Sequence, residues 1–247
     1  MRNKIKHLSN SCHYYISTKD NSCAYQNSLA LHTNQNPQDI IYNRKNISLS
    51  SKPLEFIVAN QVHSNIVKVI DEKVSKGWIE SSSAIKDCDG LITNQKGVVL
   101  TILTADCVPI LIYDKSKEVI SALHAGWRGT KSQITKEAIS KMIKEFNSNP
   151  KDISVFIAPS IRGCCYEVGV EVAREFEEYR AYCTPKKDDK YMLDLSAINR
   201  VQLLDMGVES KNIEISTSCT ACESDRFFSY RKESGCDGRF MSMIWMD

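Results

Sequence analysis

Three side chains of this sequence could together hold a metal ion. His63 closes the segment Asn60-Gln61-Val62-His63, and Cys107 closes Thr104-Ala105-Asp106-Cys107. His124 lies in Ala122-Leu123-His124-Ala125-Gly126-Trp127-Arg128-Gly129. Each ends a run of apolar residues beside turn-forming or polar ones, and strand ends open onto a sheet rim, where loops build sites. Two imidazoles and one thiolate fill three corners of a tetrahedron and leave the fourth free, the pattern of a catalytic rather than a closed structural zinc. Spacing leaves a plainer alternative open, because the three residues lie far apart in the chain. They read equally as two part-buried histidines and a buried thiol, and on composition alone that is the stronger reading. Asp106 adjoins Cys107 and is the acid/base candidate. In a regular strand neighbours face opposite ways, so only a bulge would turn both inward. Otherwise Asp106 caps a turn or orients a histidine ligand.

The elements that must carry these residues are short strands. EFIVANQVH, NIVKVI, GLITN, GVVLTILTADC, VPILIYD and VISALHA are rich in β-branched residues and separated by turn residues. Pro109 has no N–H for a ladder, so the apolar run from Val98 to Tyr113 is expected to break or bulge there. Ile134, Ala138, Met142, Ile143 and Phe146 share one face of a helix expected over 130–147, ended at Asn149-Pro150. ISVFIAPSI is the next strand, followed by a Gly-Cys-Cys turn and a charged helix expected around 168–179. A helix starting at Asp194 stops at Gly207, and NIEIST and RFMSMIW close the chain as strands. Residues 1–50 are polar and irregular, with a short strand, a turn at Asn36-Pro37 and a weak helix expected over 28–48. Strands and helices mix without a regular βαβ rhythm. The fold class is therefore α+β, mixed β-sheets covered by helices, in one domain over 1–247.

The 247 residues carry a formal net charge of +2, which argues against a dedicated nucleic-acid or membrane-surface binder. No apolar run reaches the ~18–20 residues of a membrane span. The N-terminal MRNKIKHLSNSCHYY lacks the apolar core of a secretory signal, so a cytoplasmic protein is expected. Ten cysteines in such a chain read as thiols rather than a disulfide framework. Cys164 and Cys165 follow a strand and are expected to open a helix; packing is their expected role. Cys219-Thr-Ala-Cys222 is a CxxC with no evident second pair and reads as structural. Trp127 and Tyr166 could stack a planar ring or simply fill core.

QVH, LTADCVPILIYD, ALHAGWRGT, IAPSIRGCCYEVG and FFSYRKE…GRFM, in this order, resemble the laccase-like polyphenol oxidase family, whose members are now described as zinc-dependent purine nucleoside phosphorylases with adenosine deaminase activity. The resemblance runs from about Ser28 to Trp245, leaving 1–27 poorly matched. It implies zinc ligands at His63, Cys107 and His124. It implies a compact α/β sandwich similar to the toxin-deamidase-like cysteine hydrolase fold. Three departures concern substrate contacts: His32 is followed by Thr33-Asn34-Gln35 where a Gly-Asp is usual, Arg162-Gly163-Cys164-Cys165 replaces Gly-Pro-Cys-Cys, and the N-terminal segment diverges.

The activity so implied takes a purine nucleoside and phosphate as partners, with the protein a monomer. Zinc would supply a water acidified to pKa ~7 for attack at C6 of adenosine. In phosphorolysis, cations must balance the attacking anion. Arg44, matching the family's Asn-Arg, is the first candidate for phosphate, and Arg128 the second; each reads otherwise as a surface salt bridge. Rival readings remain. Five histidines are too few for a four-copper laccase, but two His and one Cys also suit a single copper (Cu2+), although no methionine closely follows His124. A cysteine hydrolase would use Cys107 as nucleophile with His124 or His63 as base. A non-enzymatic structural zinc module is the third rival.

Overall fold

Alternation along the central strands builds the layers. In β6 (Val98–Thr104), Val98, Leu100 and Ile102 point one way, and Val99 and Leu103 the other; every residue of the strand is buried. The computed structural model describes residues 5–247, so the first four residues of the N-terminal segment, and of the span expected from sequence to be one domain, lie outside the described residues. One sheet has the order β1 (Lys6–His7), β2 (Cys12–Ile16), β14 (Phe240–Met246), β6, β3 (Glu55–Val58). A second runs β13 (Ile213–Ile215), β9 (Ile153–Ile157), β7 (Val108–Asp114), β8 (Val119–Ala125), β5 (Gly90–Thr93), β4 (Val67–Val69). Both mix parallel and antiparallel pairs. A small antiparallel sheet, β10 (Glu167–Gly169), β12 (Lys190–Leu193), β11 (Cys183–Pro185), lies beside them.

The inner faces of the two large sheets meet in a core of Leu100, Ile102 and Ile244 against Leu111, Ile120 and Phe156. The opposite face of the second sheet is covered by α3 (Ile134–Phe146) and α5 (Leu195–Asp205), through Ile139, Met142, Ile198 and Leu203. The outer face of the first sheet takes Leu29, Leu49 and Trp78 from irregular segments around α1 (Pro37–Lys45). The α+β class and the layered sheets agree with the expectation from sequence.

Several boundaries do not. The apolar run breaks at residues 105–107 rather than at Pro109, because the chain there leaves one sheet for the other. Pro109 sits inside β7 opposite His124, and its carbonyl still accepts from Ala158 N–H at 2.9 Å. The helix expected over 130–147 is two, α2 (Trp127–Lys131) and α3, parted by Gln133 at φ 59°. Val168 belongs to β10, leaving only α4 (Val170–Arg174) and a following 3-10 turn. Cys12–Ile16 is a strand inside the segment read as irregular, and no strand forms at Ser28.

Candidate active site

All three candidate ligands come together. Cys107 lies in the turn by which the chain crosses between sheets, and His124 sits near the end of β8, beside the start of β7. His63 arrives from the loop after β3, at φ 62°. The His63 and His124 rings stand edge to face with centroids 4.8 Å apart, and the ligand atoms of all three residues lie within 4.8 Å of one another. A conformation rare for a residue with a Cβ is held here by its surroundings.

Asp89, fully buried at the start of β5, supplies that hold. Its carboxylate accepts from His63 N–H (3.0 Å), Ser64 N–H (2.6 Å), Val62 N–H (3.2 Å) and Ser64 Oγ (2.7 Å). It also lies 2.7 Å from His124 Nδ1. One carboxylate thus fixes both histidine-bearing segments. With Nδ1–H directed at Asp89, His124 keeps Nε2 for a metal. Burial alone would raise the Asp89 pKa, but His124 and Ser64 outweigh it and hold it at about 2. Burial would likewise raise the Cys107 thiol, yet His124 and His63 pull it down to about 6. Thiolate character at neutral pH is what a metal ligand, or a nucleophile, requires. A Cβ on Gly126 would stand 3.1 Å from both Cys107 Sγ and His63 Cδ2, so this backbone approach tolerates only glycine without displacement. Borderline-soft donors, an orienting carboxylate and an open fourth side fit a single metal ion.

Asp106, at φ 93°, is turned away from the ligands. Its oxygens accept from Thr220 Oγ1 and Arg231 N–H, both at 2.7 Å, and its carbonyl accepts from Ile161 N–H. It ties three loops together at the wall of the cavity and orients neither histidine.

The trio faces a cavity of about 420 Å³, within the usual range of small-molecule sites. Three guanidiniums line it: Arg128, Arg231 and Arg239. Each lies over an aromatic ring, Trp127 (4.3 Å), Tyr166 (5.3 Å) and Tyr230 (5.8 Å) respectively. None of them is ion-paired among the described residues. The phosphate role expected for Arg44 is not met. Arg44 is 1% exposed and stands outside this cavity, where its guanidinium donates to the carbonyls of Leu29, Gly77 and Trp78. It pins α1 to two loops. Burial lowers its pKa to about 9, which leaves it cationic at neutral pH. Arg128 does reach the cavity. Sequence reasoning missed Asp89, which carries no motif beyond an Asp-Gly before a strand. It also missed Tyr230, Arg231 and Arg239, although the quoted FFSYRKE and GRFM contain them.

The cysteines outside this site are also rearranged. Cys164 and Cys165 open no helix; they occupy a turn beside Cys219 and Cys222, so the CxxC has a second pair after all.

The multi-copper polyphenol oxidoreductase laccase family matches residues 16–247 of the chain. The purine nucleoside phosphorylase YlmD of Bacillus subtilis (strain 168) is 37% identical over 225 residues, spanning 87% of this chain and 80% of its own length. Adenosine deaminase RL5, from an unknown prokaryotic organism, is 34% identical over 197 residues, spanning 77% of this chain and 75% of its own length. The crystal structure of YlmD from Geobacillus stearothermophilus superposes with a TM-score of 0.91 at 29% identity, covering 97% of this chain and 93% of that one.

Proposed function

The chain belongs to the multi-copper polyphenol oxidoreductase laccase family, and we propose that it is a zinc-dependent purine nucleoside phosphorylase with adenosine deaminase activity. The observation that carries this reading is the cavity. Three guanidiniums without carboxylate partners among the described residues, and three aromatic rings, surround the open face of a two-histidine, one-cysteine ligand set.

In phosphorolysis a phosphate oxygen bonds to C1′ of the ribose, and the purine leaves with the electron pair of the C1′–N9 bond. Phosphate needs cations and the purine a flat apolar partner. Arg128, Arg231 and Arg239 bind the anion and neutralise its charge as it approaches C1′, while Trp127, Tyr166 and Tyr230 offer ring faces and edges to the base. His63, Cys107 and His124 would hold zinc, which when bound supplies an acidified water for deamination and positive charge beside the reacting group. Asp89 fixes the His124 ring and the His63 backbone, and Asp106 keeps the wall of Ile161 and Arg231 in place as a positioning residue.

The family's oxidase designation calls for several copper ions. Of the five histidines, His7 and His13 are paired with each other at 2.6 Å, with His13 also bonded to Asp247, away from the cavity. Only His32, His63 and His124 line it, enough for one ion and not for a copper cluster. One observation favours a second reading: a low-pKa Cys107 beside His124, itself bonded to Asp89, also has the order of a cysteine-hydrolase triad.

Metal analysis of protein purified without added metal, with adenosine assayed with and without phosphate, separates these readings. Zinc with phosphate-dependent adenine release, plus inosine formation that needs no phosphate, both lost in Cys107→Ala, is the expected result. Activity that survives metal removal and dies on thiol alkylation would shift the assignment to the hydrolase. A bound metal with no turnover of any purine nucleoside would overturn the substrate.

A further inference from the structure

Away from the cavity floor, the loops that follow β9 and β13 bring four thiols into one group. The two strands are parallel neighbours, with Ile157 opposite Ile215, and the pairing continues past their ends. Ser216 N–H donates to Ile157 O (2.8 Å), Ser160 bridges Cys219, and Thr220 N–H donates to Ser160 O (3.1 Å). This register sets the turn of Cys164-Cys165 against Cys219-Thr-Ala-Cys222. The Sγ separations are 3.7 Å (Cys164–Cys165), 3.8 Å (Cys164–Cys222) and 3.3 Å (Cys165–Cys222). All four sulfurs lie within 4.8 Å of one another.

A tetrahedral ion with Zn–S bonds of about 2.3 Å has ligand sulfurs about 3.8 Å apart along every edge. We infer that Cys164, Cys165, Cys219 and Cys222 form a second, closed zinc site of four thiolates, separate from the open site at the cavity floor. All four are free thiols. Cys219, the buried member, accepts the backbone N–H of Arg162 at 3.5 Å, the kind of N–H···S contact that offsets thiolate charge. Four identical soft donors leave no position for water or substrate, so the site's work is structural. It clips together the two loops that shape the wall of the cavity. Ile161 and Tyr166 line that wall from one loop, and Thr220, between the two cysteines of the other, donates to Asp106.

The test is metal stoichiometry in the full chain, purified anaerobically with reductant. Wild type should carry two zinc ions, and Cys219→Ser and Cys107→Ser one each. In Cys107→Ser reconstituted with Co2+, the remaining site should show the strong thiolate-to-cobalt absorption of a four-sulfur ligand set, a signature independent of turnover. Should Cys219→Ser fold poorly, two other measurements remain. The surface variant Cys222→Ser should also lose one zinc, and in wild type all four thiols should resist alkylation until a chelator is added. Unchanged zinc content in Cys222→Ser, or four thiols that alkylate freely without chelator, overturns the site. So does a disulfide among them in the anaerobic protein. A wild type that holds a single zinc, kept in Cys107→Ser and lost in Cys222→Ser, would refute the open metal site and leave this one standing.

Discussion

The chain carries two clusters of soft ligands, and they differ in what surrounds them. His63, Cys107 and His124 meet where the two large sheets end, with the two histidine-bearing segments held by one buried carboxylate and one side open to a cavity lined by guanidiniums. The four cysteines stand on two turns near the surface, with their sulfurs within 4.8 Å of one another, and none of them lines that cavity. An open set exposes chemistry, whereas a closed set spends its binding energy on holding chain segments together. The first is built on one strand residue and two segments at sheet ends, tied together by Asp89, and the second on the two loops that follow β9 and β13.

The largest expected effect that separates the two regions is at Asp89. Asp89→Asn keeps the size of the side chain but weakens the acceptor that fixes His63, Ser64 and His124. Metal affinity at the open site and nucleoside turnover should each fall ~10–100-fold, as for other groups that orient metal ligands. Zinc on the four cysteines should stay. Chelator competition on the variant measures both, and parallel loss from the two sites would erase the distinction between them.

Arg128→Gln comes next. Arg128 is exposed, lies over Trp127 and has no ion-pair partner among the described residues, so its loss should cost little stability. A hydrogen bond to a charged group contributes ~1.5–3 kcal/mol, so the KM for phosphate should rise ~10-fold or more. Deamination, which needs no phosphate, should suffer less. Equal loss of both activities would place Arg128 on the nucleoside instead of the anion.

How legible each region was in the sequence follows from the kind of contact that makes it. The strands that carry Cys107 and His124 announce themselves by β-branched runs, because burial on both faces demands apolar residues at every position. Cys107 and His124 stand at their ends, His63 lies in the loop after β3, and all three could be named through family motifs. Asp89 could not, since a buried carboxylate with five donors looks like any other Asp-Gly turn before the chain folds. The second pair for Cys219 and Cys222 was invisible for a related reason. Cys164 and Cys165 lie far off in sequence, and only the parallel register of β9 and β13 brings them alongside. Arg44 erred in the other direction: a motif marked it, but only the fold shows its guanidinium spent on backbone carbonyls. The helix breaks at Gln133 and at Val168 came from backbone geometry and sheet pairing that helical periodicity does not report.

Thr220→Val probes the junction between the two regions. Thr220 is fully buried, and its hydroxyl is one of the two donors to the Asp106 carboxylate. Valine keeps the shape and removes the donor, leaving a buried carboxylate oxygen short of a partner, at a cost of ~1–3 kcal/mol. Thermal unfolding should move down accordingly while both zinc ions remain bound. Loss of the four-cysteine zinc in this variant would mean that the cluster depends on the cavity wall, reversing the proposed direction of support.

The smallest expected effect belongs to Glu233, which anchors the segment that brings Tyr230 and Arg231 to the cavity. Burial pushes its carboxyl up, but Lys19 Nζ at 2.6 Å and the Ser229 N–H at 2.8 Å outweigh it and hold the pKa below the ordinary glutamate value. A carboxyl whose folded pKa is depressed contributes stability above its unfolded pKa of ~4.3, and the contribution is lost as pH falls through the folded value. Glu233→Gln should therefore be less stable than wild type near neutral pH. Because the pair is partly solvated and screened, the gap should be no more than about 1 kcal/mol. Denaturant midpoints taken across acid pH should show the two proteins converging as Glu233 protonates. A gap that persists in acid would mean that the side chain acts through packing, and that its charge contributes nothing to holding this wall of the cavity.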